Sequence, residues 1–184
     1  DDTNIGMVLH HVPAMVNDEM NARILRPFSA EEVRAAMFSM GPSKAPGVDG
    51  FNAGFYQRHW ELIKEDVTAA VLGFLNGGYM PEVVNKTVIV LIPKVKNPQN
   101  ITQYRPISLC NVIYKICSKV LANRLKEILD ELIAEEQSAF VPGRLITDNV
   151  LTAYECVRSM KRNKGKQECC AGKIDMMKAY DHVD

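Results

Sequence analysis

The feature that most constrains the fold is a β-branched apolar run near the middle of the chain, Thr87–Ile92, which Pro93 ends. A continuous run of this length and composition is typical of a strand rather than a helix. A polar segment follows, and a second short run, Arg105–Leu109, begins about ten residues later. Two strands joined in this way predict a β-hairpin, with Lys94 and Arg105 at the two ends of its loop.

Helical spacing dominates most of the remaining chain. Ser29 and Glu32 form a capping-box pattern that precedes apolar residues at intervals of three and four. A second apolar stripe predicts a helix over Glu61–Asn76, with Trp60 and Phe55 packed beneath it as core. Two further helices are predicted, from a cap at Asn111 to about Ile133 and from Thr147 to about Lys161. Many helices with a few short strands indicate an α+β fold.

The charges of this neutral chain are unevenly distributed. Residues 83–126 contain 8 Lys and Arg and no Asp or Glu, whereas residues 1–82 contain 6 and 11 and residues 127–184 contain 8 and 11. A stretch of one sign creates a local positive field even on a neutral protein, and a nucleic-acid interface needs such a field. The alternative is a solvated basic face that binds no ligand.

The cysteine count and the hydropathy indicate where the protein resides. Five cysteines, an odd number without a Cys-x-x-Cys pair, argue against a zinc site and against a secreted disulfide framework. No apolar run approaches the roughly 18 residues of a membrane span. The acidic start, without Met, predicts a fragment or a processed chain without a signal peptide. We expect a reduced intracellular protein, in the nucleus, the cytoplasm or both, without a membrane partner.

A carboxylate near the C-terminal end is a candidate metal ligand. Cys169–Ile174 has the mixture of small and apolar residues that a short buried strand has, and Asp175 follows it directly. Asp181 and Asp184 come within the next one or two helical turns. A carboxylate fixed at the end of a strand offers the oxygen ligand that a hard cation such as Mg²⁺ requires. The alternative is that Asp175 is an ordinary helix-capping residue.

Five segments in a fixed order carry a family resemblance. They are Ala45–Gly50, Ile92–Lys94, Tyr104–Leu109, Gln137–Arg144 and Lys173–Asp181. The ordered set resembles the reverse transcriptase domain of LINE-type (non-LTR) retrotransposons, most like those of plants. The resemblance implies a right-hand polymerase-like fold. Residues 1–27 would be an unassigned leader, and residues 28–184 would be the N-terminal part of a truncated domain, comprising an extension, the fingers and the start of the palm.

The resemblance also implies a function, RNA-directed DNA polymerisation by two-metal transfer of dNTPs with Mg²⁺ or Mn²⁺. Asp175 would be the catalytic metal ligand, and Tyr180 would lie under the sugar of the incoming nucleotide. The other implied contacts are to the nucleotide, by Lys94, Arg105 and Arg144, and to the template, by Gln137 and Gly143. The alternative for the Gln137–Arg144 segment is that Gly143 only makes a turn and that Arg144 pairs with Asp148.

A second catalytic carboxylate pair is missing from the sequence. The family supplies this pair as an aromatic-x-Asp-Asp hairpin, and none of the six tyrosines is followed by two Asp at that spacing. We therefore expect this fragment to be inactive without the C-terminal palm and thumb of the same polyprotein. Its expected partners are an RNA template, a DNA primer and dNTP. The alternatives are a non-catalytic remnant, a nucleic-acid-binding module without polymerase activity, and a helical adaptor that binds only protein.

Overall fold

The computed structural model describes residues 14–138, 141–162 and 170–172. The chain divides into two compact units, Asp1–Leu132 and Ile133–Asp184. The described part of the first unit contains α1 (Asp18–Leu25), α2 (Ala30–Phe38), α3 (Ala53–Arg58), α4 (Trp60–Leu75), α5 (Glu82–Asn85), β1 (Val88–Pro93), β2 (Tyr104–Leu109), α6 (Val112–Lys126) and α7 (Leu129–Leu132). The described part of the second unit contains α8 (Ile146–Arg162). This helix-rich architecture with a small sheet agrees with the predicted α+β class.

Short polar side chains fix the starts of the first two helices. The Asn17 side-chain oxygen accepts a hydrogen bond from the Met20 amide at 2.9 Å, which caps α1. At α2, the Ser29 amide donates to the Glu32 carboxylate at 2.9 Å, and the Glu32 amide donates to Ser29 Oγ at 3.3 Å. These reciprocal bonds satisfy two amides that a helix start leaves without partners. The predicted capping box is therefore confirmed.

Three helices, α2, α4 and α6, enclose the core of the first unit. The buried side chains are Val33, Ala36, Met37, Ala53, Trp60, Val67, Val71, Val112, Ile116, Cys117 and Val120. The predicted core position of Trp60 is confirmed, and its ring meets Phe38 edge to face with the centroids 5.8 Å apart. Burial raises the pKa of the Cys117 thiol, so this cysteine behaves as a small unreactive hydrophobe.

The predicted core position of Phe55 is wrong. Phe55 is 40% exposed, and its ring centroid lies 4.6 Å from that of Phe51 and 4.8 Å from that of His59. Helix α3 is one and a half turns long, and Ala53 is the residue that it buries. Two residues further along, the side chain points about 200° around the helix, away from the core. A Phe next to a helical stripe therefore lies on the surface here.

The predicted hairpin is confirmed. Strands β1 and β2 pair antiparallel, with Val88 opposite Leu109 at one end and Pro93 opposite Tyr104 at the other. The Lys94 amide donates to the Gln103 carbonyl at 2.7 Å, which extends the ladder by one position. A 3-10 turn, Ile101–Gln103, leads the loop back into β2.

The helix predicted from Asn111 to about Ile133 ends earlier than expected. Helix α6 stops at Lys126, because the Glu127 amide bonds back to the carbonyls of Arg124 and Leu125 and tightens the last turn. The Arg23 guanidinium donates to the Glu127 carbonyl at 2.6 Å, so a side chain from α1 takes that acceptor. The chain then re-forms a single helical turn, α7.

Arg124 joins the ends of α1 and α2 to α6. Its side chain is 2% exposed, and its Nε and Nη2 each lie 2.8 Å from a carboxylate oxygen of Glu32. The guanidinium also donates to three backbone carbonyls, those of Ile24, Arg26 and Pro27. It lies 3.6 Å above the centroid of the Phe28 ring. Hydrogen bonding to Arg124 holds the pKa of Glu32 at about 2, against an ordinary value of 4.5.

The second unit is described over a loop and one helix. Helix α8 begins and ends within one residue of the prediction, and it has an apolar side, although none of its residues is buried in the described structure. Residues 170–172 of the strand predicted over Cys169–Ile174 are in neither helix nor strand, and the remainder lies outside the described residues. Among the described helices of the chain, none combines the length and hydropathy that crossing a bilayer requires.

Candidate nucleotide and nucleic-acid interface

One face of the hairpin combines aliphatic and basic side chains. Side chains alternate between the two faces of a strand, so the register puts Val88, Val90 and Ile92 on the same face as Ile107 and Leu109. Every residue of β1 is exposed, and the apolar ones are 40% to 65% exposed. A contiguous exposed apolar surface of this kind marks an interaction site.

The two predicted phosphate-binding cations lie at the loop end of this face. Arg105 pairs with Ile92, and Lys94 follows two positions after Ile92, so Lys94 and Arg105 are diagonal neighbours across the ladder. The Lys94 ammonium donates to the Thr102 carbonyl at 2.9 Å, which directs it toward the 3-10 turn. Arg105 is exposed, and its guanidinium forms no hydrogen bond or ion pair with any residue that the structure describes.

Sequence reasoning missed what holds this hairpin in position. Asn111 occupies the N-cap position of α6, but its side chain does not cap the helix. The Asn111 Nδ2 donates to the carbonyls of Val83 at 2.9 Å and Val84 at 3.3 Å, just before β1. Its Oδ1 accepts from the Asp49 amide at 3.4 Å. Because two strands alone are marginally stable, these bonds at the base of the hairpin matter. An Asn before a helix predicts a cap, and nothing local to it predicts these distant partners.

The loop of the second unit contains the remaining predicted contacts that the structure describes. Gly143 has a φ of +81°, the left-handed conformation that glycine adopts without strain. The Arg144 guanidinium donates to the carbonyls of Gln137 at 2.9 Å and Ile133 at 3.0 Å, and also to that of Ala134. Arg144 therefore closes the loop on itself. The Asn149 side-chain Nδ2 donates to the Ser138 hydroxyl at 2.9 Å and connects the loop to α8.

The predicted catalytic metal ligand, Asp175, and the predicted nucleotide contact Tyr180 lie outside the described residues. The two carboxylates that follow Asp175 in the sequence, Asp181 and Asp184, also lie outside them. Within the ranges 14–138, 141–162 and 170–172, no three His, Cys, Asp or Glu side chains come together as a metal site. The described residues thus include, in the first unit, a basic hairpin end with an exposed aliphatic face and, in the second unit, a loop held by an arginine.

A family model matches the C-terminal half of the chain. The model described as reverse transcriptase (RNA-dependent DNA polymerase) matches residues 92–184, half of the chain, and its match begins in the hairpin.

Curated relatives extend the similarity toward the N-terminus. An uncharacterized 149 kDa protein of transposon TX1 from Xenopus laevis is 31% identical over 92% of this chain and 13% of its own length. A probable RNA-directed DNA polymerase from transposon BS of Drosophila melanogaster is 27% identical over 86% of this chain and 18% of its own. A Pol polyprotein of the type-1 retrotransposable element R2 from Popillia japonica is 27% identical over 86% and 21%.

The chain thus spans between 13% and 21% of the length of these three relatives. All three belong to transposons or retrotransposable elements, and the family match covers the half of the chain with the loop and second strand of the hairpin, the Arg144 loop and Asp175. The predicted likeness to plant elements stays a prediction. The chain belongs to the reverse transcriptase family, in the branch of LINE-type (non-LTR) retrotransposons.

Proposed function

We propose that this chain is the N-terminal part of an RNA-directed DNA polymerase, running from an extension through the fingers to the start of the palm. Its substrates would be an RNA template, a DNA primer and dNTP. The observation that carries the proposal is the hairpin end, where Lys94 and Arg105 are diagonal neighbours within an acid-free stretch. Membership in a family of nucleotidyltransferases supports it. We also propose that the domain begins near Phe28.

The hairpin end suits a triphosphate. A polyphosphate binds best to cations that approach it from one side, and a guanidinium can grip two of its oxygens at once. The Arg105 guanidinium has all its donors available within the described residues, and the Lys94 ammonium uses one donor on the Thr102 carbonyl. The exposed aliphatic side chains beside them, Ile92 and Ile107, would contact the less polar part of a nucleotide. We propose that these two cations bind the phosphates of the incoming dNTP.

The loop of the second unit would contribute to the same reaction. We propose that Arg144 contacts the nucleotide and that Gln137 and Gly143 contact the template. The left-handed Gly143 and the carbonyls that Arg144 holds support a loop of fixed shape, which a contact surface requires. The alternative function of Gly143 as a simple turn residue is compatible with the same φ.

Reverse transcriptases generally use divalent metal ions such as Mg²⁺. The carboxylate of Asp175 is the type of donor that Mg²⁺ or Mn²⁺ prefers, so we propose Asp175 as a ligand. When bound, the cations would activate the primer 3′-hydroxyl and stabilise charge on the attacked phosphate. Tyr180 would fill the space of a 2′-hydroxyl and so favour dNTP over NTP. These two roles rest on sequence, since both residues lie outside the described ranges.

The test is binding of an RNA–DNA primer–template with a matching dNTP across a series of salt concentrations. We expect the affinity to fall by about 0.9 in log–log slope for each duplex phosphate neutralised. The Lys94→Ala/Arg105→Ala chain should lose dNTP-dependent strengthening of the complex. A matched control, Lys86→Ala/Lys126→Ala, removes two exposed cations of the same acid-free stretch outside the hairpin end. Equal losses in both double variants would contradict the assignment of the hairpin.

Polymerisation by this chain alone is a separate question. Because the sequence lacks an aromatic-x-Asp-Asp motif, we propose that it does not extend a primer by itself and needs the remaining palm and the thumb. Incubation with primer–template, Mg²⁺ and labelled dNTP should give no template-dependent product, and any such product refutes the idea.

We also propose an intracellular location, in the nucleus, the cytoplasm or both.

A further inference from the structure

The hairpin of β1 and β2 is held mainly from its base. Every residue of β1 is exposed, and in β2 the two terminal residues, Tyr104 and Leu109, are the ones that are partly buried. Side-chain packing therefore does little to set the angle at which the hairpin leaves the core. Lys94 and Arg105 lie about 14–20 Å from the base, at ~3.4 Å per residue. Over that length, a tilt of about 5° at the base moves the two cations by about 1–2 Å.

The side chain of Asn111 makes the polar contacts across this base. It is 4% exposed, and its Nδ2 donates to the carbonyls of Val83 at 2.9 Å and Val84 at 3.3 Å, in the short helix that leads into β1. The other side-chain bond across the base that the structure describes joins Thr87 Oγ1 to Cys110 Sγ at 3.5 Å, and a thiol bonds weakly. One buried amide therefore holds the entry of β1 against the start of α6.

The same side chain contacts the loop that follows α2. The Asn111 Oδ1 accepts from the Asp49 amide at 3.4 Å, and a Cβ on Gly47 would lie 2.2 Å from that oxygen. One turn along α6, Lys115 donates to the Ala45 carbonyl of the same loop at 2.8 Å. The loop, the start of α6 and the entry of β1 thus meet at Asn111, within one compact unit. A displacement of the loop reaches the hairpin through this residue.

We propose that Asn111 is a positioning residue, which sets the angle of the hairpin against the core and couples that angle to the loop at Gly47. An amide with its donor and its acceptor both bonded has one orientation, because exchanging its oxygen and nitrogen would set donor against donor. The consequence for the reaction rests on the proposed function, in which Lys94 and Arg105 bind the triphosphate of a dNTP. A misplacement of about 1 Å is enough to weaken contacts between groups that must meet in a fixed geometry.

The test compares three variants of the whole chain. Asn111→Asp keeps the acceptor toward the Asp49 amide and remains a good residue for the start of a helix, but it replaces the donor to the two carbonyls by an acceptor. Gly47→Ala pushes on Asn111 from the loop, leaves the hairpin sequence intact, and serves as the second variant if the first does not fold. The matched control is Val120→Ala, which opens a cavity in the core further along α6 and so lowers stability away from the base. Circular dichroism would verify that each variant is folded.

The first measurement needs no nucleotide. Trp60, the one tryptophan of the chain, is an energy donor in the core, and a coumarin amino acid introduced at the exposed Asn97 is the acceptor in the hairpin loop. Time-resolved fluorescence gives the distribution of distances between them. Asn111→Asp and Gly47→Ala should shift or broaden it by about 1–2 Å, and Val120→Ala should leave it unchanged. Unchanged distributions in the first two variants, or an equal change in Val120→Ala, would overturn the inference.

The second measurement is the factor by which a matching dNTP strengthens binding of an RNA–DNA primer–template. Asn111→Asp should reduce this factor about tenfold, the effect of one lost charge-assisted bond, and should change the affinity without dNTP by less than about twofold. Lower stability alone, as in Val120→Ala, should leave the factor unchanged. A factor that Lys94→Ala/Arg105→Ala abolishes and Asn111→Asp preserves would overturn the inference. If neither of these variants reduces the factor, the nucleotide site at the hairpin is refuted, and a changed distance still supports Asn111 as the residue that orients the hairpin.

Discussion

Replacing Arg124 by Met tests the buried network that joins the first helices to α6. The side chain keeps nearly the same length but loses every donor, so three backbone carbonyls lose their Arg124 partner and the Glu32 carboxylate keeps only the Ser29 amide and Arg26. The depression of the Glu32 pKa, from 4.5 to about 2, corresponds to about 3 kcal/mol of stabilisation. Glu32 is 23% exposed, so water screens part of this value. With the three carbonyls included, we expect Arg124→Met to lower the free energy of unfolding by about 3–5 kcal/mol.

The pH dependence follows from the direction of the shift. The Glu32 carboxyl binds its proton with a pKa of about 2 in the folded chain and 4.5 when unfolded. Its contribution to stability is therefore complete above pH 4.5 and is lost as the pH falls through the range toward 2. In Arg124→Met, most of this acid sensitivity should disappear, because only the Ser29 amide and the more distant Arg26 then favour the Glu32 carboxylate over its protonated form.

The assay is urea unfolding of the chain, followed by circular dichroism at pH 7 and at pH 3. Arg124→Met/Glu32→Gln should recover part of the loss, since it removes the carboxylate that the single variant leaves uncompensated. Arg124→Lys keeps the charge and serves as a milder variant if Arg124→Met does not fold. The control is Lys126→Met, an exposed position on the same helix. A loss below about 1 kcal/mol in Arg124→Met, or acid sensitivity equal to that of the natural chain, would refute the reasoning.

Three further substitutions can be measured by the same unfolding assay. Gly47→Ala should lower the free energy of unfolding by about 1–3 kcal/mol or more, because a Cβ there would lie 2.2 Å from Asn111 Oδ1 and 2.5 Å from the Asn111 amide nitrogen. An unchanged free energy of unfolding would mean that the loop can move away. Gly73→Ala, in α4 with no atom within 4 Å of the added methyl, should gain about 0.5–1 kcal/mol, and a loss would contradict this. Asn111→Ala should cost about 2–3 kcal/mol by leaving the Val83 carbonyl without its donor; an effect under about 0.5 kcal/mol would show that water replaces the side chain.

Local sequence rules were sufficient for elements whose partners are near in the chain. The capping box of Ser29 and Glu32 and the hairpin depend on neighbours or on a short loop, and both are confirmed. The rules failed where the end of a helix or the exposure of a side chain depends on the folded structure around it. Helix α6 ends early, and Arg23, 104 positions away in the chain, binds the Glu127 carbonyl just beyond its last residue. Phe55 is exposed because its short helix turns a different side to the core.

The candidate site also combines features that the sequence predicts with features that only the folded structure reveals. The position of Lys94 and Arg105 at the end of a hairpin follows from β-branched runs and a polar loop, so the sequence was enough to predict it. The partners of Asn111 are 62 and 28 residues away, and no local pattern indicates them. The loop around Gly47 passes so close to Asn111 that only glycine fits there, a constraint that becomes visible only after folding.

Counting charges along the chain overstated the basic surface for a physical reason. Arg124 is one of the 8 cations between residues 83 and 126, but its counter-charge, Glu32, comes from 92 residues earlier and folds against it. Buried and neutralised, it adds nothing to an exterior field. Of the seven cations that remain, Lys94, Lys96 and Arg105 lie at the end of the hairpin or in its loop, Lys115 and Lys119 lie one helical turn apart on α6, and Lys86 and Lys126 are exposed elsewhere. An acid-free stretch therefore predicts attraction to phosphate in general, and the fold determines how many of its cations can take part.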